Sequence, residues 1–246
     1  MSRFTQNLIL LLVGASMAVM LLRGTYVHYV KPALLPWLVI AAVVLIGLGL
    51  AAVVRDVRNA GRPAEHSDDE HPADEHHGHR HRGGLVWLLL VPIAMVAFIV
   101  PPPLDARGAT AAPPVTSAPK PRDFPPLPAG PAPTVAVPEI VMRAAADPAR
   151  SLDGRTITAT GFTLRYPDGV YLGRVVIVCC AADAQLARIR LSGPAAATAA
   201  AFGEETWIAV EGEVEPASAQ AANDYVPTMS AATVTRIEKP ENTYAY

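Results

Sequence analysis

The sequence predicts a two-part chain: three transmembrane α-helices at the amino terminus, then an all-β/α+β domain of five strands. Three observations carry this. Apolar residues make up 51% of the chain and charged residues only 17%, a balance shifted toward membrane proteins. Three uncharged blocks lie in the first hundred residues, at about 4–22, 33–54 and 83–100. Beyond a proline-rich stretch, the pattern changes to short β-rich runs separated by turn residues.

The first block runs from Phe4 to Leu22 between Arg3 and Arg23. Its length suits a hydrocarbon core of about 30 Å. Gly14-Ala15-Ser16 offers small residues for a cleavable leader, but the apolar run continues past them, which favours a retained helix. The second block, Ala33 to Val54, has Tyr26, His28, Tyr29 and Trp37 near its entry and Arg55 and Arg58 at its exit. Amphipathic rings gather in this way at a membrane interface. The third block, Gly83 to Val100, carries Trp87 near its entry and Pro92, which kinks a helix in a way membranes tolerate. Pro101-Pro102-Pro103 stops it.

Five arginines fall in the loop after the second block (Arg55, Arg58, Arg62, Arg80, Arg82), against Arg23 and Lys31 in the loop before it. The positive-inside rule then puts the amino terminus and loop 55–82 in the cytoplasm and everything after Val100 outside, in a multi-pass plasma-membrane protein. That loop holds six of the seven histidines: His66, His71, His76, His77, His79 and His81. Imidazoles interleaved with Glu65, Asp68, Asp69, Glu70, Asp74 and Glu75 suit weak, exchangeable binding of zinc, nickel or copper. The same composition also describes a solvated linker with no ligand.

Residues 101–138 contain thirteen prolines, which predicts a semi-rigid polyproline tether with no packed core. The domain follows at 139–246. Glu139 to Ala146 reads as a helix. Arg155 to Leu164, Tyr171 to Cys180, Leu186 to Leu191, Trp207 to Val214 and Ala231 to Ile237 read as strands. A second helix, Ala195 to Phe202, sits between the third and fourth strands behind Pro194. That order is the one found in OB-fold-like five-stranded barrels.

The chain's only two cysteines close the second of these strands, in Val175-Val-Ile-Val-Cys-Cys-Ala-Ala-Asp183. Two buried small hydrophobes are the ordinary reading of such thiols. A metal or redox role for Cys179, Cys180 and Asp183 is the other. In an extended strand, positions 180 and 183 face opposite ways, so their convergence requires a turn at Ala181-Ala182. A bridge between neighbouring cysteines would be strained, because their Cα atoms are only about 3.8 Å apart.

These phrases carry a resemblance. Leu152-Asp-Gly-Arg-Thr-Ile157 with Gly161-Phe162, Arg174 through Asp183, Trp207-Ile-Ala-Val-Glu-Gly212 and Ile237-Glu-Lys-Pro-Glu-Asn-Thr-Tyr244 resemble the YcgQ-like family of bacterial membrane proteins. So does the His-rich loop between the second and third helices. Members of that family are taken to be permease subunits, and the resemblance implies a multi-spanning partner of the YraQ type. The Cys-x-Ala-Asp portion of the family phrase maps onto Cys180, Ala182 and Asp183, and the position of Cys179 can be histidine in the family.

The expected function is therefore a non-enzymatic membrane accessory subunit of a permease, linked to handling of a divalent metal such as zinc. The alternative is an extracytoplasmic thiol, redox or metal-binding envelope protein acting without a permease. Nucleic acid is not an expected partner. Residues 139–246 hold nine lysines and arginines against thirteen aspartates and glutamates, a net of −4, whereas phosphate binding needs clustered positive charge. Adjacent mid-strand cysteines also lack the two-residue spacing of thiol oxidoreductases, and no catalytic set of other residues is evident.

Overall fold

The computed structural model describes residues 3–60, 104, 109–111 and 119–245. Its contacts divide the chain into two units, one holding the amino-terminal helices and one made of residues 28–31 with 103–246. The third predicted helix, at 83–100, and the six loop histidines lie outside the described residues.

In the first unit, α1 (Arg3–Leu22) and α2 (Leu35–Ala60) form a hairpin. Glycine sets their separation. A Cβ on Gly49 would lie 2.6 Å from Cγ of Leu11, and one on Gly14 would lie 2.8 Å from a side-chain carbon of Ile46. The pairings 11 with 49 and 14 with 46 make the helices antiparallel. Helices in lipid associate through such small-residue contacts, because no hydrophobic drive separates them from acyl chains. Pro32–Arg55 is the described helical stretch long and apolar enough to cross a membrane. The apolar part of α1, Ile9–Leu22, is shorter.

The second unit is a mixed seven-stranded sheet flanked by two helices, α3 (Val137–Ala146) and α4 (Ala196–Ala201). Five strands are long: β2 (Thr156–Tyr166), β3 (Gly169–Val176), β4 (Gln185–Ser192), β5 (Trp207–Val214) and β6 (Thr228–Arg236). β1 (Thr110–Ala111) and β7 (Tyr244–Ala245) are two-residue additions at β4 and β3. β2 pairs antiparallel with β3 and β5, β3 with β4, and β5 with β6, while β4 and β6 run parallel. Each long strand therefore has two long neighbours.

The period-two alternation that predicts the strands is the alternation that buries them. Ile157, Ala159, Leu172, Ile189, Ile208, Val210 and Met229 form the main core with Ile140 of α3. Phe162, Leu164, Tyr171, Val175, Ile177, Leu186, Trp207 and Tyr244 form a second cluster. Arg143 of α3 is buried at 3% exposure, and its guanidinium is accounted for by Glu139 at 2.6 Å, Ser151 and the Pro125 carbonyl.

Two expectations are corrected here. The stretch before residue 139 is more than a tether: Val135 and Val137 are core residues, and the Pro133 carbonyl accepts from the amide of Thr158. Proline removes a donor but leaves its carbonyl and its neighbours' side chains free to dock. The second predicted strand also ends early, at Val176 rather than Cys180.

Candidate metal centre

The chain leaves the sheet at Val176 because the following amides find another acceptor. Ile177 is fully buried and still donates to the Ala245 carbonyl of the β7 segment. Val178 is 64% exposed, and its amide donates to Oδ1 of Asp183 at 2.7 Å. The amides of Cys179 and Cys180 donate to Oδ2 of the same carboxylate at 2.8 and 3.1 Å. A single side chain thus satisfies three consecutive amides that a neighbouring strand would otherwise have to pair. Between them, Ala181–Asp183 forms one turn of 3-10 helix, which the small side chains of Ala181 and Ala182 permit.

This turn brings the predicted ligands together. One candidate atom from each of Cys179, Cys180 and Asp183 lies within 4.8 Å of the others, and the two sulfurs are 3.7 Å apart. Cys179 is exposed and Cys180 partly so, which overturns the reading of both as core fillers. A thiol has one proton to give, and Cys179 has two acceptors within reach, the Asp183 carboxylate and the Cys180 sulfur. Those contacts, Asp183 foremost, push the Cys179 thiol up to about 11.

The Asp183 carboxyl is held down to about 2, foremost by its hydrogen bond with the Cys179 side chain; desolvation opposes this, and the three backbone amides add to the lowering. The sign follows directly. A carboxyl whose folded value is depressed stabilises the turn above its ordinary value near 3.8 and loses that stabilisation as pH falls through about 2. The amide resonances of Val178, Cys179 and Cys180 should therefore hold their positions from pH 7 to pH 4 and move together only near pH 2. Movement centred at pH 4 would mean that the carboxylate is not so bound.

Two supports of this turn were not visible in the sequence. The segment His28–Lys31 runs beside it: Val30 bridges Cys180 antiparallel, Lys31 N donates to the Cys179 carbonyl at 3.1 Å, and Ala181 N donates to the Tyr29 carbonyl at 2.7 Å. On the other flank Tyr244 pairs with Val175, and its hydroxyl donates to the His28 carbonyl at 3.1 Å. Arg174 lies over the Trp207 ring at 4.6 Å and donates to the Asn242 carbonyl at 3.0 Å. Sequence separation hid these pairings. The closest signal was the polar and aromatic cluster Tyr26–Tyr29, which reads as a membrane-interface group.

The described parts define a class: a chain with a membrane-length helix and a sheet domain that presents one exposed thiol, one partly exposed thiol and a backbone-bound carboxylate on one turn. Its two halves match the DUF1980 N-terminal domain over residues 5–112 and the DUF1980 C-terminal domain over residues 140–246. The chain belongs to the DUF1980 family. Neither the curated proteins nor the solved structures yield a match.

Proposed function

We propose that this protein is a non-enzymatic membrane accessory subunit, working beside a multi-spanning permease, that handles a divalent metal ion on the turn formed by Cys179, Cys180 and Asp183. The observation that carries the metal reading is the convergence of two thiols and a carboxylate on one exposed turn. The permease partner rests on the YcgQ-like resemblance. The strand circuit β2–β3–β4–β6–β5–β2, with α4 between β4 and β5, supports reading the domain as an OB-fold-like barrel. In that reading the barrel is a rigid mount for the turn. The fold carries no implication of nucleic-acid binding.

Three crossings, with His66, His71, His76, His77, His79 and His81 on the cytoplasmic side, would place a weak ligand set across the bilayer from the thiol turn. The thiol-redox alternative is disfavoured by a specific observation. Thiol oxidoreductases hold two cysteines separated by two residues at a helix start, whereas Cys179 and Cys180 are adjacent and lie before a single 3-10 turn.

The test uses the full-length chain, purified in detergent under reducing conditions. Cobalt(II) should produce thiolate-to-metal charge-transfer absorption. The double variant Cys179→Ser/Cys180→Ser should lose that absorption without a change in thermal melt, since neither side chain is buried. A wild-type chain that shows no thiolate band removes the metal reading. Independently, a reporter fused after Tyr246 should be active only outside the cytoplasm and one near Glu70 only inside, given the arginine-rich loop between. A cytoplasmic carboxy terminus would overturn the three-helix topology.

A further inference from the structure

Resting on the metal reading above, the geometry points to a narrower assignment: Cys179 and Cys180 form a two-thiolate chelate for a tetrahedral d10 cation of the zinc type. Asp183 is then the residue that shapes the chelate rather than a ligand, and two coordination positions are left open for exchange with a partner.

The sulfur spacing carries the first part. Two sulfurs bound to one zinc at about 2.3 Å and the tetrahedral angle lie about 3.8 Å apart. The separation here is 3.7 Å. A linear two-sulfur ion with bonds of that length would hold its sulfurs roughly 4.6 Å apart. The turn therefore presents the edge of a tetrahedron before any ion arrives. Neighbouring residues in a strand would point their sulfurs to opposite faces, so the turn itself creates the match.

The role of Asp183 follows from counting acceptors. An ionised carboxylate offers about four lone-pair positions. The Val178 amide takes one on Oδ1, the Cys179 and Cys180 amides take two on Oδ2, and the Cys179 thiol shares the same carboxylate. An oxygen already engaged by the amides that define the turn cannot swing onto a metal without releasing them. Asp183 thus stands to this centre as carboxylates stand to ligating histidines elsewhere, orienting the groups that bind.

The open positions follow from the ligand inventory. Among the described residues, Cys179, Cys180 and Asp183 are the one such cluster of three or more potential ligands. Structural zinc sites close with four protein ligands, whereas sites that exchange keep positions for water or an incoming group. Binding is balanced simply: each thiol gives its proton to water as its sulfur takes the metal, and two waters remain on the ion. An incoming imidazole or thiolate from a partner then displaces water stepwise, so the ion can be handed on without first being released.

The experiment uses the full chain with the six loop histidines replaced by alanine, so that only the turn is read. X-ray absorption on the zinc-loaded protein should show two sulfurs at about 2.3 Å with the remaining shell of light atoms. Added imidazole should shift the visible bands of the cobalt form. Asp183→Asn should keep the two-sulfur shell while weakening zinc affinity by about 10- to 100-fold, the usual cost of an orienting partner.

Four sulfurs would mean that two copies close the site, and cobalt bands indifferent to imidazole would mean that no position is open; either overturns the inference. Loss of binding beyond about a thousandfold in a folded Asp183→Asn, well outside the range for an orienting residue, would make Asp183 a ligand and overturn it too. If that variant does not fold, the wild-type sulfur count and imidazole response decide alone. Absence of any zinc–sulfur shell would instead sink the underlying metal reading, so the two failures are distinguishable.

Discussion

Gly161→Val should unfold the sheet domain, or bring it to the edge of unfolding. Gly161 lies in β2 one residue before Phe162, which faces Gly173 of β3. A Cβ at Gly161 would lie 2.4 Å from the Gly173 carbonyl oxygen and 3.1 Å from the Leu172 side chain. The first obstacle is backbone, held by strand pairing on both sides, so no rotamer change relieves it. Overpacking a core costs about 1–3 kcal/mol when side chains can shift. Here the two strands must separate, and the cost should exceed about 3 kcal/mol, out of a typical total of 5–15. A thermal melt of the full chain, followed by near-ultraviolet circular dichroism, should show the loss. Gly154 provides the contrast. Its φ is +65° and nothing lies within 4 Å of a Cβ there, so Gly154→Asn, which tolerates that backbone, should be nearly silent. A Gly161→Ala chain that melts within about half a kcal/mol of wild type would refute the steric argument.

The strands were legible because half-buried strands announce themselves by alternation. Trp207–Val214 was predicted to its exact ends, and the other long strands to within a few residues. The overshoot of the second strand has a definite cause. Ile177 and Val178 continue the apolar run, yet Ile177 is buried and Val178 exposed, and the amides from 178 onward turn to Asp183. Composition cannot reveal that a carboxylate five residues ahead will replace a neighbouring strand. The convergence of Cys180 and Asp183 was legible only as a condition, that the chain bend at Ala181-Ala182, and that bend is present. The flanking supports were beyond reach. His28–Lys31 and Tyr244 lie far from the cysteines in sequence, and nothing local in either segment marks a strand partner. Proline content likewise concealed Val135 and Val137, because it reports missing donors and says nothing of which side chains dock.

Tyr244→Ala should destabilise the domain by about 3 kcal/mol and loosen the thiol turn with it. Tyr244 is 2% exposed, and truncating a buried aromatic of this size costs about 3–5 kcal/mol through lost transfer energy and the cavity left behind. The lower end applies because the carboxy-terminal segment can partly collapse into the space. Its hydroxyl accepts from Leu104 N at 2.6 Å and donates to the His28 carbonyl at 3.1 Å. Tyr244→Phe removes only the hydroxyl and should cost about 1 kcal/mol, plus a penalty for any group left unpaired. The consequence for the site comes through the neighbours. β7 pairs with Val175 and Val176 and accepts the Ile177 amide, which is the last sheet hydrogen bond before the cysteines. On the opposite flank, residues 29–31 pair with Cys179, Cys180 and Ala181, and the Tyr244 hydroxyl ties His28 at the start of that segment. Losing the ring therefore slackens both flanks at once. Reaction of the thiols with a bulky disulfide reagent should be faster in Tyr244→Ala than in wild type, and only slightly faster in Tyr244→Phe. Equal rates in all three chains, alongside the expected drop in melting temperature, would show that Tyr244 holds the core but not the turn.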